Sequence, residues 1–151
     1  MKKVKKETIM EVFAILNTAK YGRMSDEDKV RLWKITRTLK PVALQVQEDY
    51  NDARQRMKPT DDFDKRMKDA QQYERDTTNG KPTAITRQEY DAFIVELRQY
   101  QEMVHKTAGE VGNEEVDIEF DPISEEAFEK LMASNDWTAG QTVTLGDFIM
   151  Q

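Results

Sequence analysis

Residues 32–57, LWKITRTLKPVALQVQEDYNDARQRM, place an apolar residue at nearly every helical turn. Eight apolar positions recur at steps of three or four residues, and their seven steps span 25 residues, or about 3.57 per turn. That period is nearer the roughly 3.6 of a straight α-helix than the roughly 3.5 of a supercoil. The stretch therefore predicts one long helix, about residues 26–57, in a short bundle. The series is Leu32, Ile35, Leu39, Val42, Val46, Tyr50, Ala53 and Met57.

Pro41 lies inside this series. A proline within a helix removes one hydrogen bond and crowds the preceding turn, at a cost of about 3 kcal/mol. The apolar stripe keeps its phase on both sides, at Leu39 and Val42, so a kinked continuous helix is favoured over two helices. Ser25, followed by three acidic residues, is a typical helix start.

The same period predicts further helices on either side of the long one. The first covers about residues 7–20 and ends at Gly22, and another follows Thr60-Asp61-Asp62. TTNGKP, residues 77–82, predicts a loop, because Asn-Gly favours positive φ and proline stops a helix. Thr86 and Glu89 have capping-box spacing and open a helix over about residues 87–108, which Gly109 and Gly112 are expected to end.

EVDIEFDP, residues 115–122, alternates apolar and acidic side chains and predicts a short strand. Ser124 caps a following helix, and Thr142-Val143-Thr144 is interpreted as a second short strand. The predicted fold is mainly α: a long antiparallel helical hairpin of the helices at 26–57 and 87–108, braced by the N-terminal helix. Residues 1–110 form this body and residues 111–151 a small C-terminal α/β tail packed on it, in a single domain overall. We expect the following side chains to be buried: Leu39, Val46, Phe93 and Leu97.

The amino-acid composition argues against several classes of function. The 151 residues are 38% apolar and 34% charged, with a net charge of −6 and no cysteine. The acidic balance disfavours nonspecific binding to nucleic-acid phosphates, and the missing cysteines exclude thiol catalysis and Cys-based zinc sites. No apolar run of about 18 residues occurs, and acidic residues interrupt the N-terminal apolar segment, so neither a membrane span nor a signal peptide is predicted. The expected location is cytoplasmic.

The acidic face of the predicted strand is the one arrangement that suggests a metal. Asp117, Glu119 and Asp121 alternate along it, and same-face neighbours lie roughly 6.5–7 Å apart, too far for three to share one small ion. We interpret them as a solvated face. His105 is the single histidine and is expected near a helix end. No nucleotide-binding glycine motif occurs, and no cofactor is predicted.

Basic residues form a weak nucleic-acid signal. Lysines at positions 2, 3, 5 and 6 make a basic tip, and the long helix carries a basic run at residues 31–40. Acidic neighbours and the lack of interleaved aromatic residues favour a solvated charged face instead.

Four segments together resemble a family of small tailed-phage and prophage proteins of uncharacterised biochemical function. They are VQEDYNDARQRM (46–57), EYDAFIVELRQYQEMV (89–104), EEVDIEF (114–120) and SEEAFEKLM (124–132). The resemblance covers most of the chain as a pattern of elements and carries no catalytic motif. It implies a phage-encoded accessory or assembly protein.

The functional hypothesis is a noncatalytic protein-binding or assembly factor. Trp33, Trp137 and Tyr100 are the candidate partner-binding residues, because aromatic side chains often anchor interfaces. Thin apolar seams bury little surface within one chain, so we expect a homo-oligomer or a protein partner. Two alternatives stay open: a nucleic-acid-associated regulator that uses the basic residues, and a small metal-dependent enzyme that uses the strand carboxylates.

Overall fold

The computed structural model describes residues 1–150, which form six α-helices and two short β-strands. The fold is mainly α, as the sequence predicts, and its two strands form a small antiparallel sheet. In chain order the elements are β1 (Lys2–Lys5), α1 (Lys6–Asn17), α2 (Asp26–Arg56), α3 (Phe63–Thr78), α4 (Arg87–Asn113), β2 (Glu115–Ile118), α5 (Glu125–Ala133) and α6 (Ala139–Ile149). None of the helices within residues 1–150 combines the length and apolarity that a bilayer span requires.

The chain divides into two compact units, and their boundaries lie after Asp49 and after Gly109. Only the second boundary corresponds to the one expected at residue 110. The first unit joins Met1–Asp49 with the residues from Glu110 onward. Its apolar core takes side chains from α1, the first half of α2, β2, α5 and α6, so the C-terminal tail supplies a large share of that core. The core includes Ile9, Val12, Leu32, Ile35, Leu39, Ile118, Phe128, Leu131, Leu145 and Ile149.

The second unit, Tyr50–Gly109, has a smaller core. Phe63 and Phe93 are buried with their ring centroids 5.4 Å apart, and Tyr100 packs on Phe63 at 4.8 Å. Leu97 is only half-buried, so its predicted burial is wrong, whereas that of Leu39, Val46 and Phe93 is confirmed. Leu97 packs at the margin of a cluster in which few side chains are fully enclosed.

The sheet pairs the first residues of the chain with residues more than a hundred positions later. β1 runs antiparallel to β2, with Lys3 opposite Asp117 and Lys5 opposite Glu115. Opposite charges facing each other across strands stabilise the pair. The sequence predicted β2 but not β1, and β2 ends at Ile118 rather than at residue 122. The length of β2 is limited by its pairing, because β1 has only four residues with which β2 can form hydrogen bonds.

Two local predictions about the C-terminal half are wrong. Helix α4 continues through both glycines, Gly109 and Gly112, to Asn113, since a glycine inside a helix costs only about 1 kcal/mol when nothing forces a turn. Residues 142–144 belong to helix α6 and not to a strand. Thr138 and Gln141 form a reciprocal capping box that starts α6, and this outweighs the strand preference of the three residues.

Other start and stop signals are confirmed. Ser25 accepts a hydrogen bond from the Asp28 backbone N–H at 3.2 Å, and Ser124 accepts one from Ala127 at 3.1 Å. Gly22 has a φ of +59° in the turn between α1 and α2. A Cβ at Gly22 would collide with the Ser134 side chain at the end of α5, so this turn packs closely on the tail.

Candidate protein-binding surface

Helix α2 carries two apolar stripes on opposite sides. Leu32, Ile35 and Leu39 are each 0% exposed and form the side that enters the core of the first unit. On the other side, Val30, Trp33 and Leu44 are 49%, 50% and 54% exposed. At about 100° per residue, the exposed set lies within about 60° of arc, on the side opposite the buried set. With Pro41, which is also exposed, these three residues form what we call the outer stripe.

The outer stripe explains why α2 tolerates its proline. The helix is continuous through Pro41, as predicted. Pro41 leaves the carbonyl of Arg37 without its usual helical donor. Both residues are exposed, so water can satisfy that carbonyl, and the cost of an unpaired buried group does not arise.

Three exposed cations accompany the outer stripe, and we call Lys34, Arg37 and Lys40 the basic band. The Arg37 guanidinium lies over the Trp33 ring, 5.3 Å from its centroid. None of the three forms an ion pair with any residue in the 1–150 range. Their charge is therefore available to a partner, whereas Arg31 is already paired with Glu27 at 3.1 Å.

A groove of about 830 Å³ runs beside the outer stripe. One wall is the α2 face that carries Arg31, Lys34 and Arg37, and the other is the segment Glu119, Phe120 and Asp121 after β2. The basic run and the acidic strand, which the sequence presented as separate features, thus face each other. The groove therefore carries both positive and negative side chains.

The three candidate binding residues have different environments. Trp33 is half exposed on the outer stripe. Trp137 is half-buried and packs against the core of the first unit. Tyr100 packs on Phe63, and its hydroxyl donates to the Arg54 carbonyl at 2.9 Å. Packing already accounts for much of the surface of the last two, so Trp33 has the most to offer a partner.

The strand carboxylates lie as the alternation predicts. Asp117, Glu119 and Asp121 are exposed, while Ile118 on the other face is buried. Within residues 1–150 there is no group of three or more His, Cys, Asp or Glu side chains placed to hold a metal ion. His105 is exposed on α4, as expected of a surface histidine, but it lies eight residues before the helix ends and therefore does not cap it, because α4 is longer than predicted.

Two of the four lysines of the basic tip, Lys2 and Lys6, have contacts within the first unit. Lys6 pairs with Glu114 at 2.5 Å. Lys2 Nζ donates to the Phe148 carbonyl at 2.7 Å and lies over the rings of Phe120 and Phe148, at 4.6 and 4.4 Å from their centroids. Burial lowers the pKa of Lys2 below its ordinary 10.5. Lys3 and Lys5 are exposed, and each lies opposite an acidic residue in the sheet.

The comparisons with protein-family models, with curated proteins and with solved structures give no match. The chain is mainly helical, and its longest helix has a core side and an exposed apolar side. Sequence reasoning used only one of the two α2 stripes and missed Val30 and Leu44. The signal was present in part, because Val30 and Trp33, and then Pro41 and Leu44, are three residues apart at the same helical phase, with Arg37 between the two pairs.

Proposed function

We propose that this protein is a noncatalytic protein-binding factor that engages its partner through the outer stripe of α2. The observation that carries the proposal is the second apolar stripe, placed opposite the core side of the same helix. Helices of globular proteins ordinarily present charged and polar residues on that side. An ordered line of apolar side chains there is a feature of helices that pack on both sides.

The outer stripe has the extent and composition of a helix-binding surface. From Val30 to Leu44 it covers about 21 Å at roughly 1.5 Å per residue, or about four turns. Trp33 is a suitable anchor, since tryptophan is enriched among the residues that dominate binding energy. Its ring is held by Arg37, which lowers the entropy that Trp33 would lose on docking.

The competing hypotheses receive less support from the same surface. A nucleic-acid regulator would need clustered free cations, but two of the four lysines of the basic tip, Lys2 and Lys6, have contacts within the first unit, and the basic band has acidic neighbours in the groove. A metal-dependent enzyme would use the strand carboxylates, of which Glu119 and Asp121 line the groove while Asp117 faces Lys3 across the sheet. We place the protein in the cytoplasm, as an accessory or assembly factor in a phage or prophage setting.

The test is affinity capture from lysate of the source cells with three forms of the chain. The first is wild type, the second carries Trp33→Asp and Leu44→Asp, and the third carries Val143→Asp. Val143 is 61% exposed on α6 and serves as a matched control for a lost surface apolar residue. We expect proteins that bind wild type and the control but not the double variant. Identical captures by all three forms would refute the proposal. Circular dichroism first establishes that the variants are folded.

A further inference from the structure

We infer that the partner docks on α2 as an acidic amphipathic helix: an apolar stripe flanked by Asp or Glu. This inference rests on the proposed function and specifies the chemistry of the partner. Its basis is the position of the basic band relative to the outer stripe.

The three cations of the basic band lie beside the middle turns of the outer stripe. At about 100° per residue, Lys34 lies on one side of the stripe line, Lys40 on the other, and Arg37 between them. All three are exposed and have no ion-pair partner among the residues that the structure describes. A helix laid along the stripe would bring its flanking side chains to these cations. Carboxylates at those positions would make charge-assisted contacts, whereas lysines would be repelled.

A second copy of the chain fits this face poorly. In a symmetric antiparallel pair centred on Arg37, Trp33 would face Pro41, but Arg37 would face its own copy and Lys34 would face Lys40. In a symmetric parallel pair every residue would face its own copy, so that Lys34, Arg37 and Lys40 would again meet like charges. Like charges brought together at an interface act against association, so the charge pattern favours a different chain.

Nucleic acid also fits poorly. The stripe ends in acidic residues, Asp26 before Val30 and Glu48 after Leu44, and Glu119 and Asp121 form the far wall of the groove. A phosphate backbone, charged along its whole length, would meet these carboxylates within a turn or two of the basic band, whereas a partner helix can carry its acids only beside its middle turns. Three cations release few counterions on binding, which limits the affinity for any nucleic acid. The exposed Trp33, Val30 and Leu44 would also gain nothing from a phosphate surface.

The length of the stripe sets the size of the partner segment. About 21 Å corresponds to a helix of roughly 15 residues, with apolar residues at steps of three and four and acids beside its middle turns. Such a segment contacts only the α2 surface of the first unit. The inference therefore does not depend on the second unit.

The experiment uses the full chain and three synthetic helical peptides with one leucine pattern. Their flanking positions carry Glu, Gln or Lys, and each is labelled for fluorescence anisotropy. At about 0.15 M salt, we expect the Glu peptide to bind at least about tenfold more tightly than the Lys peptide. Trp33→Asp should weaken the Glu peptide by about thirtyfold, as loss of a central anchor does, and Val143→Asp should leave its affinity unchanged.

Charge reversal provides the sharpest readout. In the variant with Lys34→Glu and Lys40→Glu, the preference should invert and the Lys peptide should bind more tightly than the Glu peptide. Both changes lie at exposed helical positions, where glutamate is a good helix former, so the fold should persist.

Several outcomes would overturn the inference. Equal binding of the Gln or Lys peptide, still abolished by Trp33→Asp, would refute the acidic partner but support the proposed function. Failure of all three peptides would refute a helical occupant, and the lysate captures would then decide the proposed function separately. Duplex DNA that binds more tightly than the Glu peptide would indicate a nucleic-acid surface. A wild-type dimer in sedimentation that Trp33→Asp converts to monomer would indicate that a second copy occupies the stripe.

Discussion

Leu131→Ala should destabilise the first unit strongly, because the C-terminal tail supplies part of its core. Leu131 lies on α5 and is 0% exposed within the cluster that includes residues of α1 and α2. The substitution removes three carbons, worth about 2.4 kcal/mol at roughly 0.8 kcal/mol each. A residual cavity of roughly 50–80 Å³ adds about 1–2 kcal/mol. The free energy of unfolding should therefore fall by about 4 kcal/mol.

The assay is urea unfolding followed by tryptophan fluorescence. Trp33 and Trp137 both lie in the first unit, so their emission reports on the unit that contains Leu131. In thermal unfolding followed in the same way, the melting temperature should fall by about 8–16 °C, at roughly 2–4 °C per kcal/mol for a chain of this size. The control is Met132→Ala on the same helix, at a side chain 38% exposed, which should cost less than about 1 kcal/mol. Equal effects of the two substitutions, or a loss below about 1 kcal/mol for Leu131→Ala, would refute the shared core.

Three further predictions concern the turn, the acidic face and the pH dependence. Gly22→Ala should cost about 2–3 kcal/mol in urea unfolding, because alanine disfavours positive φ and its Cβ would collide with α5. Exchanging Asp117 for Asn together with Glu119 for Gln should change stability by only about half a kcal/mol, and millimolar Mg²⁺ or Mn²⁺ should not raise the melting temperature; a rise of several degrees, lost in the double variant, would reveal a metal site. The Glu74 carboxylate, which accepts the Tyr90 hydroxyl at 2.5 Å, raises the pKa of Tyr90 above 10.0. The folded state thus holds this proton more tightly, so the contact stabilises the fold below pH 10.0 and is lost as pH rises through the raised pKa; phenolate absorbance should show Tyr90 ionising at lower pH in Glu74→Gln, and an unchanged titration would contradict the contact.

Features that depend on neighbouring residues could be predicted from the sequence. The period of the apolar residues identified α2 and its continuity through Pro41, and the serines at positions 25 and 124 marked two helix starts. The alternation at residues 115–118 identified β2 and its wet acidic face. Each of these signals acts over one or two turns or along one strand, so no distant contact is needed to interpret it.

Only part of the candidate binding surface could be predicted from the sequence. Trp33 was selected as an aromatic residue, but its neighbours on the outer stripe, Val30 and Leu44, were not. The sequence does not distinguish an apolar helix residue that faces a core from one that faces solvent. Helix α2 has apolar residues of both kinds, and both follow the helical period. The choice between the two sides depends on which one the remaining elements cover.

The sequence by itself determined the positions of most helices, their caps, β2 and the mainly α class. Only the tertiary structure decided that residues 2–5 form β1, that residues 142–144 join α6, and that the tail completes the core of α1 and α2. It also decided that the outer stripe of α2 remains exposed. The physical reason is range: caps and periodicity act between residues a few positions apart, whereas strand pairing and burial depend on contacts between distant segments, summed over the whole fold.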